Sequence, residues 1–217
     1  MKINKILAIL LVASLGACTS TTTKSSKHAN RTSEKVYGTK RCAITFDDGP
    51  HKNDYRILSI LAKENVKATF FYNGNKAQAN PALVRKVVAA GHGLGNHSYS
   101  HKNLKQISHA QQRSEIIKAQ NILERYGRVK SFRPGFGSIT SYSRSVLREE
   151  GLRETRWNVD TNDWRAASSH MIVNAAARSR NIAVPIILMH STSNKTVAAL
   201  PTIIKDLKAQ GCRFITF

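Results

Sequence analysis

Short apolar runs alternate with helical stretches along this chain, and five of the runs stop on a polar residue able to do chemistry. Cys42 to Phe46 stops at Asp47, Gly93 to Asn96 at His97, Ser131-Phe132 at Arg133, Thr155 to Val159 at Asp160, and Val184 to Met189 at His190. Short apolar runs bounded by turn residues read as buried strands, and strands that alternate with helices pair in parallel. Ala68 to Tyr72 and Cys212 to Thr216 complete the strand set. The helices carry their own signals. Asp54 is placed to cap a helix from Tyr55 to about Glu64, and Asn80-Pro81 opens one that ends near Gly91. Ser108 and Gln111 form an S-x-x-Q capping box for a helix to Tyr126. Further helices are expected up to Glu150, over Ser169 to Ser179 and over Thr196 to Gln210. In a closed barrel of such units the strand C-termini share one face, and that face carries the chemistry. An open doubly wound sheet gathers ligands at one switch point instead. Chemistry at five different strand ends favours the barrel.

Two segments dominate that face. Thr45-Phe46-Asp47-Asp48-Gly49-Pro50 offers adjacent carboxylates, and His97-Ser98-Tyr99-Ser100-His101 offers two imidazoles four residues apart. Each alone has a plain reading: Asp-Asp-Gly-Pro as a polar turn, and the histidines as a pair on one exposed helix face. Together they supply nitrogen and oxygen donors for a borderline cation, with one carboxylate left over as a base. On an extended strand, neighbouring carboxylates point in opposite directions, so one could bind the ion while the other reaches a water. Arg133-Pro134-Gly135-Phe136-Gly137, Asp160-Thr161-Asn162-Asp163-Trp164 and Leu188-Met189-His190 follow in order. These five motifs resemble those of the polysaccharide deacetylases, carbohydrate esterase family 4, over about Lys40 to Phe217.

The resemblance implies a single distorted, incompletely closed (β/α) barrel of about seven parallel strands. It implies hydrolysis of N-acetyl groups on amino-sugar polymers or oligomers such as peptidoglycan or chitooligosaccharides. One divalent metal, zinc by the donor set, would be held by Asp48, His97 and His101. Asp47 matches the general base and Arg133 the arginine that keeps it ionised; a structural salt bridge is the plainer role for that arginine. Phe136 matches the position whose N–H faces the oxyanion. His190 matches the general acid and Asp163 its orienting carboxylate. Trp164 and Leu188 match the walls around the acetyl methyl, though ordinary core packing would also use them. The family more often has a second proline where this chain has Gly135, which puts the stiffness of that loop in question. His28, His51, His92, His109 and His170 match no motif and read as solvated surface residues. Three other functions share the pattern: an O-acetyl esterase on a decorated glycan, a deacetylase or deformylase of a lipid-linked sugar, and a glycan-binding module with a dead site.

The first residues have a different character. Lys2 and Lys5 precede an apolar run from Ile6 to Ala17, too short to span a bilayer comfortably. Leu15-Gly16-Ala17-Cys18 then resembles a lipobox, with cleavage before Cys18 and lipid on its sulfur; an ordinary cleaved signal with a chance cysteine is the other reading. Residues 18–39 are rich in Ser, Thr and Lys and read as a flexible tether between lipid and a domain over 40–217. The expected destination is the cell envelope, at an outer membrane facing the periplasm if the cell has one.

With 34 Lys and Arg against 13 Asp and Glu, the formal charge is +21. Such an excess favours anionic surfaces, although solvated basic faces are common. No zinc-finger, helix-turn-helix or aromatic-rich basic motif supports nucleic acid as a partner. The expected partners are a glycan and, through Cys18, a lipid membrane, with the protein a monomer. Assigning Cys18 to lipid leaves Cys42 and Cys212 as a pair in an oxidising compartment. A disulfide between them is expected; two buried thiols on neighbouring strands are the alternative.

Overall fold

The computed structural model describes residues 40–217; the expected signal segment, the tether and Cys18 lie outside the described residues. The strands are β1 (Lys40–Gly49), β2 (Thr69–Tyr72), β3 (Gly93–Asn96), β4 (Ser131–Phe132), β5 (Arg153–Glu154), β6 (Val159–Asp160), β7 (Ile186–His190) and β8 (Cys212–Phe214). Seven run in the order β5-β4-β3-β2-β1-β7-β6, and β8 adds to β1 at its start. Every pairing is parallel. The path curls into a barrel whose end strands, β5 and β6, do not pair with each other among the described residues. This is the incompletely closed barrel that the family resemblance implies.

The expected strand from Thr155 to Val159 is a correction. Only Val159 of it lies in a strand, β6, while Thr155 to Asn158 cross the gap from the end of β5 outside any strand. The crossing backbone is bonded to a side chain: the Arg133 guanidinium donates to the carbonyls of Thr155 at 3.1 Å and Arg156 at 3.2 Å. A buried guanidinium thus satisfies carbonyls that a neighbouring strand would otherwise take.

Helices α1 (Asn53–Lys63), α2 (Gly74–Ala79), α3 (Pro81–Ala89), α4 (His109–Leu123), α5 (Ser141–Glu149), α6 (Ser169–Ala176) and α7 (Asn194–Ala209) cover the sheet. The α4 capping box forms with both reciprocal bonds. Asp54 does not cap α1. It lies inside the first turn, where its Oδ2 accepts from Tyr72 Oη at 2.8 Å and from the His51 N–H at 3.0 Å. Asn80 precedes α3 without a side-chain cap; its amide instead donates to the Lys76 carbonyl that ends α2. His92 is another correction. It is 7% exposed, and its Nδ1 accepts the Ala68 N–H at 3.1 Å.

The core is built from the strand residues that face the helices (Ile44, Phe46, Phe70, Phe132, Ile187 and Met189) against Ile57, Leu61, Ile116, Ile203 and other helix residues. Cys42 and Cys212 are buried, and their sulfurs are bonded between β1 and β8 with the Cα atoms 5.6 Å apart. Among the described residues no helix is long and apolar enough to cross a membrane.

Candidate active site

The C-terminal ends of β1, β3, β4, β6 and β7 and the loops that follow them surround one cleft of about 390 Å³. Asp47 and Asp48 both line it. The expectation that they point to opposite sides fails, for a local reason. The pairing of β1 with β2 shifts register between Asp47 and Gly49, and Asp48 takes a left-handed backbone with φ 67°. Such a bulge re-aims a side chain, and Asp tolerates the left-handed region better than most residues. As a result Asp47 Oδ2 lies 3.7 Å and Asp48 Oδ1 3.4 Å from the same atom, His97 Nε2. The next residue has to be glycine. A Cβ on Gly49 would sit 2.2 Å from the Tyr72 ring and 2.9 Å from Asp54 Oδ2.

The two histidines lie in the loop after β3, not on a helix face. Ser98 and His101 both have positive φ, and Ser98 Oγ accepts the His101 N–H at 3.1 Å. Glu115 of α4 holds the loop by accepting the Ser100 N–H at 2.7 Å and its hydroxyl at 2.6 Å. His97 Nδ1 is 2.7 Å from the Arg133 carbonyl, which can only accept. Nδ1 therefore carries a proton, and in its neutral form the ring would present the Nε2 lone pair to the cleft. His101 Nε2 lies 3.4 Å from Asp48 Oδ1.

Asp48, His97 and His101 form the metal-capable cluster among the described residues, with one donor atom from each within 4.8 Å of the others. Asp48 Oδ1 is buried and has no hydrogen-bond partner. Burial favours its neutral acid, but the facing His97, with His101 and His190, prevails and holds the carboxyl well below the usual carboxylate range. Burial and the charge of His97 together lower the pKa of His101, keeping its donor nitrogen free. An orphaned carboxylate oxygen opposite two imidazole nitrogens fits a divalent cation, and this nitrogen and oxygen donor set suits zinc.

Arg133 is the largest fully buried side chain, at 0% exposure. Its Nη1 donates to Asp47 Oδ1 and to Thr45 Oγ1, both at 2.8 Å, and its guanidinium lies 4.0 Å from the Phe71 ring centroid. The one residue thus fixes Asp47 through its side chain and His97 through its carbonyl. Elsewhere on the cleft, His190 Nδ1 is 2.6 Å from Asp163 Oδ1, and the His190 N–H donates to Asp163 Oδ2 at 2.7 Å. Thr196 Oγ1 also bonds Asp163. Burial works against the imidazolium of His190. The hydrogen bond and charge of Asp163, with the charges of Asp47 and Asp48, outweigh it and raise the pKa to about 9.

A sequence profile described as polysaccharide deacetylase matches residues 34–155. Over 187 residues the chain is 37% identical to a peptidoglycan-N-acetylglucosamine deacetylase of Bacillus cereus, covering 83% of this chain and 68% of that protein. The chain belongs to the polysaccharide deacetylase family. It is accordingly a hydrolase by kinship as well as by the residues around its cleft. A family 4 carbohydrate esterase from Streptomyces lividans, solved in complex with acetate, superposes with a TM-score of 0.76 at 38% identity. That match covers 80% of this chain and 91% of the other. A peptidoglycan-N-acetylglucosamine deacetylase of Listeria monocytogenes is 34% identical over 185 residues, or 84% of this chain, and the chain spans 39% of that relative's length.

The rest of the family pattern also converges on the cleft. Leu188 lines it from β7 and is buried; Trp164 and Phe136 line it while 65% and 69% exposed, so neither packs in the core. Phe136 has φ 59°, and its ring centroid is 4.7 Å from that of His101. The N–H groups after it turn back, Gly137 to the Pro134 carbonyl and Ser138 to that of Gly135. Trp157 and Asp160 line the cleft as well. Sequence reasoning gave neither a role. Trp157 sat inside what looked like a continuous strand, and the signal for it was its place three residues before Asp160.

Proposed function

We propose that this protein removes N-acetyl groups from an amino-sugar polymer of the cell envelope, with peptidoglycan the favoured substrate and chitooligosaccharides next. The observation that carries the reading is the cleft itself. A buried, arginine-held carboxylate, an Asp-His-His donor set and an Asp-supported histidine face one cleft of about 390 Å³. The names of the Bacillus and Listeria relatives point to the same class of substrate.

An amide needs an activated water, a stabilised oxyanion and a protonated leaving nitrogen. Asp48, His97 and His101 would hold the divalent ion, taken here as zinc, whose contribution is to acidify water and polarise a carbonyl. Asp47 accepts a proton from the attacking water, with Arg133 holding its carboxylate in place. The Phe136 N–H faces the developing oxyanion. As the C–N bond breaks, His190 delivers its proton to the amine nitrogen, held to that task by Asp163. Trp164 and Leu188 enclose the acetyl methyl. Residues 1–17 act as a lipoprotein signal and Cys18 carries the lipid, with 18–39 as tether and 40–217 as the working domain in the envelope.

Acetate release from peptidoglycan, chitooligosaccharides and acetylated xylan, measured side by side, tests the substrate. Release from xylan alone would overturn the N-acetyl reading, and release from none under any divalent metal would leave only glycan binding. Metal content tests the ligands: His97→Ala with His101→Ala should purify without zinc, and full occupancy would refute the assignment. Asp47→Asn should keep the metal and lose about 10²-fold or more in turnover. Mass spectrometry of the first mature residue tests Cys18.

A further inference from the structure

A second cavity, of about 500 Å³, opens at the other end of the barrel, where β1, β4, β5 and β7 begin. Arg41, Lys130, Arg153 and Arg156 line it, together with Ile215 and Phe217. Arg213 of β8 is the register partner of Arg41 on β1, so two guanidinium side chains leave adjacent strands on the same face. Arg41, Lys130, Arg153 and Arg213 are exposed, and none makes an ion pair or hydrogen bond with another described side chain. Among the described residues that line the cavity, the acidic side chain is Glu154, already held by Arg144 at 2.8 Å and Arg156 at 2.5 Å. Like charges placed across adjacent strands repel each other, and a shared anion removes the repulsion.

We infer that this basic cavity binds the phosphate of anionic lipid headgroups and so turns the catalytic cleft away from the membrane. Guanidinium groups suit phosphate because they donate in pairs to its oxygens. A membrane source is favoured by where the chain enters the domain. Lys40 begins β1 and adjoins Arg41, so the described chain starts at the cavity's own end of the barrel. Cys18 lies about 20 residues upstream, which on the tether reading above corresponds to a reach of roughly 25 Å. This orientation rests on the lipid-anchored reading above. A domain held with its basic end on the bilayer presents the strand C-termini, and the cleft they carry, to glycan on the far side.

The test uses the full chain carrying Cys18→Ser, so that no acyl group contributes. Binding to vesicles of phosphatidylglycerol and phosphatidylcholine is compared with binding to phosphatidylcholine alone. Arg41→Gln, Lys130→Gln and Arg153→Gln combined should weaken binding to the anionic vesicles at least 10-fold. Lys63→Gln, Arg85→Gln and Arg125→Gln, which remove the same charge from exposed sites on other elements, should change it less than 2-fold. Arg41→Lys with Arg153→Lys should retain most of the binding. Equal losses in the two Gln sets would show general charge attraction and overturn the site. Saturable binding of inorganic phosphate or glycerol phosphate to the cavity, without vesicle preference, would overturn the membrane source. Glycan is absent from these measurements. A protein that prefers anionic vesicles yet releases no acetate therefore sinks the proposed activity alone, and one that releases acetate without vesicle preference sinks this inference alone.

Discussion

Gly135 shows how much a single missing carbon can decide. A Cβ there would stand 3.0 Å from His101 Nε2 and 3.1 Å from its Cδ2, inside ordinary contact distance. The family more often has proline at this point, so in this chain the imidazole rests in space that a side chain would claim. Gly135→Ala should displace the ring by a few tenths of an ångström and weaken metal binding by about 10-fold, as lost orientation does at such sites. Titration with zinc against a competing chelator measures it, and an unchanged affinity would show that His101 has slack to give. On the other side of the cleft, Asp163 is the lever. It is foremost among the groups that overcome burial and raise the His190 pKa to about 9. A raised pKa means the acid form survives through neutral pH and is lost as pH climbs past that value. Asp163→Asn removes the charge, so the alkaline limb of kcat/KM should move to lower pH, by about 1 unit or more. A limb that stays in place would assign it to another group.

At the scale of elements, strands that end on chemistry were readable because apolar composition and a polar stop coincide in the same few residues. The α4 capping box was readable because Ser108 and Gln111 each need only local backbone. Other features depended on partners far away in sequence. β5 and β6 are two residues each, too short to show a period, and what separates them is the guanidinium of Arg133. The α2 sequence, Gly74 to Ala79, has no apolar stripe to announce a helix. The bulge that turns Asp48 into the cleft shows only in the pairing of β1 with β2. His92, between two glycines, gave no sign that its ring would close the approach to β2 by accepting the Ala68 N–H. Burial, with the nearby charge of Lys67, lowers its pKa from 6.5 to about 4. The unfolded chain then binds a proton first as pH falls, so the stability this site contributes is present above pH 6.5 and lost on the way down to about 4. The fall in Tm between pH 7 and pH 4.5 should be smaller in His92→Asn, whose side-chain oxygen can keep the acceptor role. Equal falls in both proteins, followed by calorimetry, would place the acid sensitivity elsewhere.

At the scale of the described domain, the barrel is open at one seam, and its first and last described strands, β1 and β8, are neighbours. Arg133 answers the first problem from inside, joining the crossing segment to Asp47 and Thr45. The second is met where β8 lies against β1, the strand that also pairs with β2 and β7 and leads to both cleft carboxylates. Cys42 and Cys212 join these strands across a separation of 170 residues. A crosslink over so long a loop mainly restricts the unfolded chain, and the chain-entropy account gives roughly 5 kcal/mol before any native strain is deducted. For a domain of this size each kcal/mol corresponds to about 2–4 °C in Tm. Reduction, or Cys42→Ala with Cys212→Ala, should therefore lower Tm by around 10 °C. The cleft, carried at the opposite end of β1, should keep its metal while the domain remains folded. Thiol counting on denatured, unreduced protein comes first, because two free thiols in exported material would remove the bond altogether. If the bond is present and its loss leaves Tm unchanged, the β1–β8 ladder and the core around Cys42 already restrain the chain ends. If metal is lost along with the bond below the melting transition, the two ends of β1 are coupled more tightly than their separation along the strand implies.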